Sequence, residues 1–512
     1  MSDSSPTIEN PSLLRRLLKF SFIGIGVLVL LGLLVIGFEN WRGQRAWSKF
    51  RAEWEARGEQ FDIAAFIPKP VPPEQNFAMT PLLVPLLDYD KSTPGTWRNP
   101  TGRDRASIVS GALGNYPGKK APQLGNWQVG TFIELEKWQD YFVGHTNFPS
   151  ATNSGHPARD VLTALRKFDA ELDELTAAST RSYSVFPIHY EENFNMLLPH
   201  LATLKGISQL VRLRALARLQ AGQKAEAMQD IRLGLRLAES IRNEPTLISQ
   251  LVRISLFQTV LQPVWEGCAR REWTEEQLLE VQSALSNIRL LEDYRNTIRG
   301  ERAFGNAMID EMRTGRTSIN SLGDAPGEGD GQLVATSASR FIPSGWFYQN
   351  QLTINRLHQE RILPLIDAAQ HRVFVQQAHV ADNIPELQRF SLYNVFARLL
   401  LPAVGKTATK FANGQTTIDL ATVACALERH RLANGQYPEQ LDLLVPRFIA
   451  KIPTDVINGE LLKYRREPDG TFVLYSIGWN ETDEGGEPGV TKSGAAADPT
   501  KGDWVWRHPA KP

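Results

Sequence analysis

Residues 20–38 pass without a charge and are rich in Leu, Ile and Val, with Arg15, Arg16 and Lys19 before them and Glu39, Asn40 and Trp41 after them. As an α-helix at 1.5 Å per residue this run is roughly 28 Å long, close to the ~30 Å hydrocarbon core of a bilayer. A cleaved signal peptide and a buried core helix share such a composition. No small-x-small cleavage site follows, and the run exceeds the roughly 7 to 15 apolar residues of a signal core. The expectation is therefore a retained single-pass anchor at 20–38, in contact with membrane lipid. Five basic residues (Arg42, Arg45, Lys49, Arg51, Arg57) follow the run against three before it, which on count alone argues for the reverse topology. Long domains cross largely regardless of charge, and a short basic N-terminus before one span usually stays in the cytoplasm. Residues 1–19 are thus expected inside a bacterial cell, the span in the cytoplasmic (inner) membrane, and the body outside it.

Beyond the anchor, 512 residues with 42% hydrophobic content allow two or three domains and a sizeable core. Lys plus Arg and Asp plus Glu are both 56, which removes the charge bias expected of a nucleic-acid binder. Cys268 and Cys425 permit a disulfide in an oxidising compartment without indicating one. Cys425 sits among apolar residues and reads as a small buried hydrophobe.

Residues 39–150 read as a membrane-proximal helix, a connector and loops. Trp41, Trp47, Phe50 and Trp54 fall largely on one helix side, opposite Arg45, Lys49, Arg51 and Glu55. They suit either the headgroup belt or the protein's own core, the latter for Phe50 and Trp54. The proline-rich stretch 67–73 is a stiff spacer, and 88–130, rich in Gly, Pro, Asn and Thr, is expected as irregular loop. An α-helical body follows over 151–400. Ile207, Leu210, Leu213 and Ala217 share a helix side, as do Ile231, Leu235, Ala238 and Ile241, with Gly222 at the corner. This pair resembles one tetratricopeptide hairpin, with Ala215, Gly222, Ala227 and Ile231 at fitting positions; Gly234 replaces the usual alanine and no second copy follows. Thr274-Glu275-Glu276-Gln277 is a capping box, and helices are expected over 291–313 and 351–379. The glycine-rich stretch 323–331 lacks EF-hand ligand order and reads as a solvated loop.

In 401–512 the residues describe a helix and then a small antiparallel sheet. Thr416 can cap a helix with Asp419 in its first turn, Arg429, His430 and Arg431 crowd its end, and Gly435 stops it. Residues 420–427 are apolar nearly all round, so burial on more than one side is expected. Two β-rich runs at 461–467 and 471–477, split by Pro468-Asp469-Gly470, form a hairpin. Residues 503–507 supply a third strand with Trp504 and Trp506 on one face.

The order Leu427-Glu428-Arg429-His430-Arg431-Leu432-Ala433-Asn434-Gly435-Gln436-Tyr437-Pro438, then Leu444-Val445-Pro446, Ile452-Pro453-Thr454-Asp455 and Tyr475-Ser476-Ile477-Gly478, resembles the C-terminal domain of type II secretion major pseudopilins over about the last hundred residues. That resemblance implies a small α+β domain and calcium in the loop after the Tyr-Ser-x-Gly strand end. Asn480, Glu481, Asp483, Glu484 and Glu487 cluster around Gly485-Gly486, and hard oxygen ligands on a turn suit calcium. Asp483 is the first candidate ligand, with Asp498 and Asp503 from the returning strand; a solvated acidic loop is the alternative. The chain departs from the family at Asn480, in one extra residue before Gly485, and in an Ala-rich insertion before Asp498. At the anchor Phe20 follows Lys19, position 24 is Gly24, and about 380 residues precede the matching domain, so a reused domain fits better than a pilus subunit.

Nine histidines are scattered without a His-Glu-x-x-His pair, and no Cys-x-x-Cys, Walker A, Gly-x-Gly-x-x-Gly or Gly-x-Ser-x-Gly pattern occurs in the contexts those motifs require. His189-Tyr190-Glu191-Glu192 is the strongest polar cluster, with a structural role the simpler reading, and Glu301 and Arg302 suit an internal pair. The combined expectation is a mainly α protein with an anchor, a helical-hairpin body and a small C-terminal α+β domain. It would act as an extracytoplasmic binding or scaffold component with a protein partner. A hydrolase with a dispersed site and a secretion pseudopilin are the alternatives.

Overall fold

In the computed structural model the described residues are 11–507 apart from 91–92, 94–95, 117, 146, 150–153 and 318–341. The glycine-rich stretch 323–331 and His508 lie outside them. The chain is mainly α. Helices α1 (Pro11–Glu55), α2 (Pro100–Ser110), α3 (Leu135–Phe142), α4 (Pro157–Leu165), α5 (Asp169–Ala178), α6 (Pro199–Gln220), α7 (Lys224–Glu239), α8 (Leu247–Ala269), α9 (Glu275–Ser286) and α10 (Leu290–Arg313) come first. Then follow α11 (Ser344–Leu357), α12 (Val375–Asp382), α13 (Pro385–Gln388), α14 (Val395–Gly405) and α15 (Thr407–Asn434). The strands are short: β1 (Ile366–Asp367) pairs with β2 (Arg372–Val373), β5 (Pro488–Val490) with β6 (Ala497–Gly502), and β3 (Lys463–Arg466), β4 (Phe472–Ser476) and β7 (Trp504–Arg507) form a three-stranded antiparallel sheet in that order.

Two compact units interleave in sequence. The first comprises Met1–Phe61, Gly305–Leu357 and Glu386–Leu400. Its α1 is one helix of 45 residues that carries both the apolar run and the amphipathic stretch behind it. Phe20 and Phe22 are 71% and 72% exposed, and among the described residues nothing covers the apolar run; it is long and apolar enough to cross a membrane. From Glu39 onward α1 packs on α11. A methyl group at Gly43 would stand 2.5 Å from the Gly345 carbonyl oxygen, and one at Gly345 would stand 2.1 Å from the Glu39 carbonyl, so both positions require glycine. Asn40 Oδ1 accepts the Gly345 N–H at 2.8 Å, satisfying a free donor in the first turn of α11. Trp47 is buried against Phe50 and Phe61, with ring centroids 6.0 and 5.7 Å away, while Trp41 stays exposed.

The second unit comprises Asp62–Phe304, His358–Pro385 and Leu401–Pro512. Helices α6 and α7 form the expected hairpin about Gly222, whose φ of 79° suits glycine, and both pack on α8. A methyl group at Gly234 would meet the Val260 side chain at 2.6 Å, which explains glycine where tetratricopeptide hairpins carry alanine. Both bonds of the Thr274–Gln277 capping box form. Helix α15 packs against α8 and α9, with Leu420, Val423, Cys425 and Leu427 all buried, and ends on Gly435 in the left-handed region. Cys268 and Cys425 are both buried free thiols.

Three expectations are corrected. Helix α15 begins at Thr407, so Thr416 is a buried interior residue and not a cap; nothing between them breaks a helix, and packing on both sides carries it through. Within the supposed loop 88–130 lies α2, whose start is signalled by Asn99, which accepts the Gly102 N–H, and by Pro100 in the first helical position. The single helix over 351–379 is instead α11, irregular turns, the β1–β2 pair and α12. Pro364 cannot donate to a continuing helix, and His371 turns back with φ 54°.

Candidate functional site

Of the three candidate metal ligands, Asp483 lies in the loop after β4, Asp498 in β6 and Asp503 between β6 and β7, and each accepts local hydrogen bonds. Asp483 accepts the Tyr475 hydroxyl at 3.0 Å and the Gly485 N–H at 2.9 Å. Asp498 accepts both the N–H and the hydroxyl of Thr500 and pairs with Lys501. Asp503, buried, accepts the Gly486 N–H at 2.6 Å and so fixes the acidic loop to the start of β7; burial, with the Glu484 carboxylate adding to it, pushes its carboxyl up to about 6. Among the described residues no group of three or more His, Cys, Asp or Glu is placed to hold a metal ion. The geometry lends the calcium expectation no support.

The resemblance motif is bound together within the second unit. Ser476 donates its hydroxyl to Asp455 at 2.8 Å, the Ile477 N–H reaches the other Asp455 oxygen at 3.1 Å, and the Tyr437 hydroxyl donates to Glu428. Arg429 bonds Glu275, Gln282 and the Phe448 carbonyl, so it joins α15 to α9 and does not merely face the end of its own helix.

A cleft of about 270 Å³ opens where α8, α15, the 127–128 turn and the β5–β6–β7 region converge. Its wall includes Trp127, Trp504, Gln258, Asn413, Thr417 and Leu420, with Lys410 and Asp498 also lining it. The Gln258 amide donates to Asn413 Oδ1 at 3.2 Å. Trp504 is held by its indole N–H on the Pro499 carbonyl, and Trp127 by its own on the Gln258 carbonyl. Two rigid indoles and two carboxamides on one small cleft make an apolar surface with a hydrogen-bonding edge. Asp503 lines the cleft as well, so two of the three acidic residues singled out by the sequence, Asp498 and Asp503, face it, while the indoles and carboxamides were not singled out for chemistry.

A polar ladder on α8 supports this wall. Gln262 accepts the Trp127 N–H at 2.6 Å and donates to the Thr131 carbonyl, while Glu266 accepts the Ile133 N–H at 2.9 Å and the Gln262 amide at 2.8 Å. Residues 258, 262 and 266 are four apart, so they share one helix face. Polar residues at that spacing in a helix otherwise so apolar are a legible signal of a buried network. Burial raises the Glu266 carboxyl to about 7 from an ordinary 4.5. The folded chain then holds this proton more tightly than the unfolded chain between those values, so stability falls as pH rises through the window and is flat above it. Glu266→Gln is expected to remove a pH-dependent loss on the order of 3 kcal/mol, read as a flatter stability profile from pH 5 to 8. An unchanged slope in chemical denaturation would reassign the titration to another group.

Further polar clusters of the second unit bond among themselves. Tyr89 donates to Glu192 at 3.0 Å and stacks edge-on to His189 in a shallow depression, while Tyr190 is buried. Glu244 lies between His200 at 2.9 Å and the Ser249 hydroxyl; all three are buried, and with the carboxylate in the middle the imidazole does not face the serine. Glu301 accepts the Leu247 N–H at the start of α8. Comparison with family models, curated proteins and solved structures finds no match to the chain.

Proposed function

We propose that this protein is a single-pass membrane-tethered binding component, with its body outside the cytoplasmic membrane and a ligand site in the Trp127–Trp504 cleft. The observation that carries the reading is the convergence of two fixed indoles with the Gln258 and Asn413 amides. At about 270 Å³ the cleft is near the lower end of small-molecule sites, roughly 300–1,000 Å³. Its chemistry suits a neutral, hydroxyl-bearing ligand of the sugar class, with C–H faces on indole and hydroxyls on amide groups. The exposed apolar run of α1 supports the tether, and the pseudopilin-like residue order over the last hundred residues supports a scaffold role for the small domain.

Full-length protein in nanodiscs, titrated with a panel of mono- and disaccharides including amino sugars, is expected to change its tryptophan fluorescence with at least one of them. Asn413→Leu should weaken that response about tenfold, the equivalent of one lost hydrogen bond of ~1.4 kcal/mol. Silence across the panel would remove the sugar reading. Carbonate extraction should leave the chain in the membrane pellet, and wholly soluble protein would remove the tether.

A further inference from the structure

We propose that the 389–394 loop is a second membrane contact, which seats Phe390 and Leu392 at the headgroup boundary of a phospholipid bilayer; the proposal rests on the reading of α1 as a span. The loop belongs to the same compact unit as α1. Tyr393 lies under the Arg42 guanidinium, 5.3 Å from its ring centroid. Arg42 is four residues past Phe38 on an unbroken helix, so it stands ~6 Å beyond the end of the apolar run. The polar layer of one leaflet is about 5 to 7 Å deep, half the difference between a ~30 Å core and a ~40 to 45 Å bilayer. A loop tied to Arg42 is therefore at the depth of the lipid headgroups.

The loop is built to turn apolar side chains outward. Asn394 is buried and donates to the carbonyls of Glu386 and Arg389 at 3.1 and 2.8 Å, while its oxygen accepts the Ser391 N–H at 3.0 Å. Asn350 of α11, also buried, donates to the Leu392 carbonyl at 2.9 Å. With the backbone held inward by two amides, Phe390 and Leu392 are left 69% and 61% exposed. Water is a poor partner for that surface, and the end of the span places lipid beside it. Charge fits as well: Arg398 lies 5.8 Å from the Phe390 ring and Arg45 5.7 Å from the exposed Trp41 ring, a pairing of cation and aromatic suited to phosphate headgroups. Within 38–45 and 386–400 the acidic residues are Glu39, paired with Arg42, and Glu386.

The test uses full-length protein in phosphatidylcholine–phosphatidylglycerol vesicles, with an environment-sensitive fluorophore on a single introduced cysteine. The native thiols are buried, which favours labelling of the introduced one. Probes replace Leu392, Val27 within the span, and Ala52, exposed on α1 and about 21 Å beyond Phe38. Val27→Cys should be quenched by deeply spin-labelled lipid, Leu392→Cys should lose most of its emission to shallow spin-labelled lipid, and Ala52→Cys should be quenched by neither. A Leu392 probe that behaves like Ala52 while Val27 is deep overturns the loop contact alone. A Val27 probe in water overturns the span and the loop contact together.

Discussion

Leu427→Asp is expected to abolish cooperative folding of the second unit. Leu427 is fully buried on α15, whose neighbours are α8, α9 and the small sheet. Truncating a buried leucine costs about 2 to 5 kcal/mol, and an unpaired carboxylate in the same place adds its desolvation. The sum approaches the roughly 5 to 15 kcal/mol that holds a whole domain together. Circular dichroism should show lost or broadened thermal unfolding and proteolysis should accelerate, while Leu427→Met should stay within about 1.5 kcal/mol of the parent because it conserves volume. A Leu427→Asp protein that melts within a few degrees of the parent would show that α15 does not sit between two layers.

The next largest effect is expected at the ion cluster inside the α6–α7 hairpin. Asp230 is buried and bonds Arg214 at 2.6 Å and Arg218 at 2.8 Å; Arg214 is itself almost fully enclosed, and its nearest other carboxylate is Asp169 at 3.7 Å. Asp230→Ala strands a buried guanidinium and should cost about 3 to 5 kcal/mol. Replacing both ends with apolar side chains, as in Arg214→Met with Asp230→Leu, removes the desolvation cost of both charges and should cost clearly less than Asp230→Ala. Denaturant midpoints of the two variants and the parent decide the matter. Equal losses in the two variants would mean that packing, and not the stranded charge, sets the effect.

Much of the fold was legible because its signals are local. The uncharged length of 20–38 marked a long apolar helix, the Thr274–Gln277 box and Gly435 marked a start and a stop, and Pro468-Asp469-Gly470 marked the hairpin. Where local signals conflicted with burial, burial decided. Thr416 has the chemistry of a cap, yet α15 runs through it because nearly every residue from Thr407 to Arg429 is buried in the packing of this helix. The loop composition of 88–130 likewise concealed the Asn99-Pro100 helix start.

The candidate site was not legible, for a physical reason. Trp127, Gln258, Asn413 and Trp504 are separated by more than a hundred residues along parts of the chain and come from a turn, two helices and a strand. Each alone reads as an ordinary core or surface residue. The sequence by itself determined the mainly α class, the long apolar N-terminal helix and the local order of the small sheet, since period, caps and uncharged length act through near neighbours. Only the tertiary structure decided which side chains share the cleft, that Asp503 pins the acidic loop, and that Tyr393 lies under Arg42 just past the apolar run, because those outcomes depend on distant elements packing together.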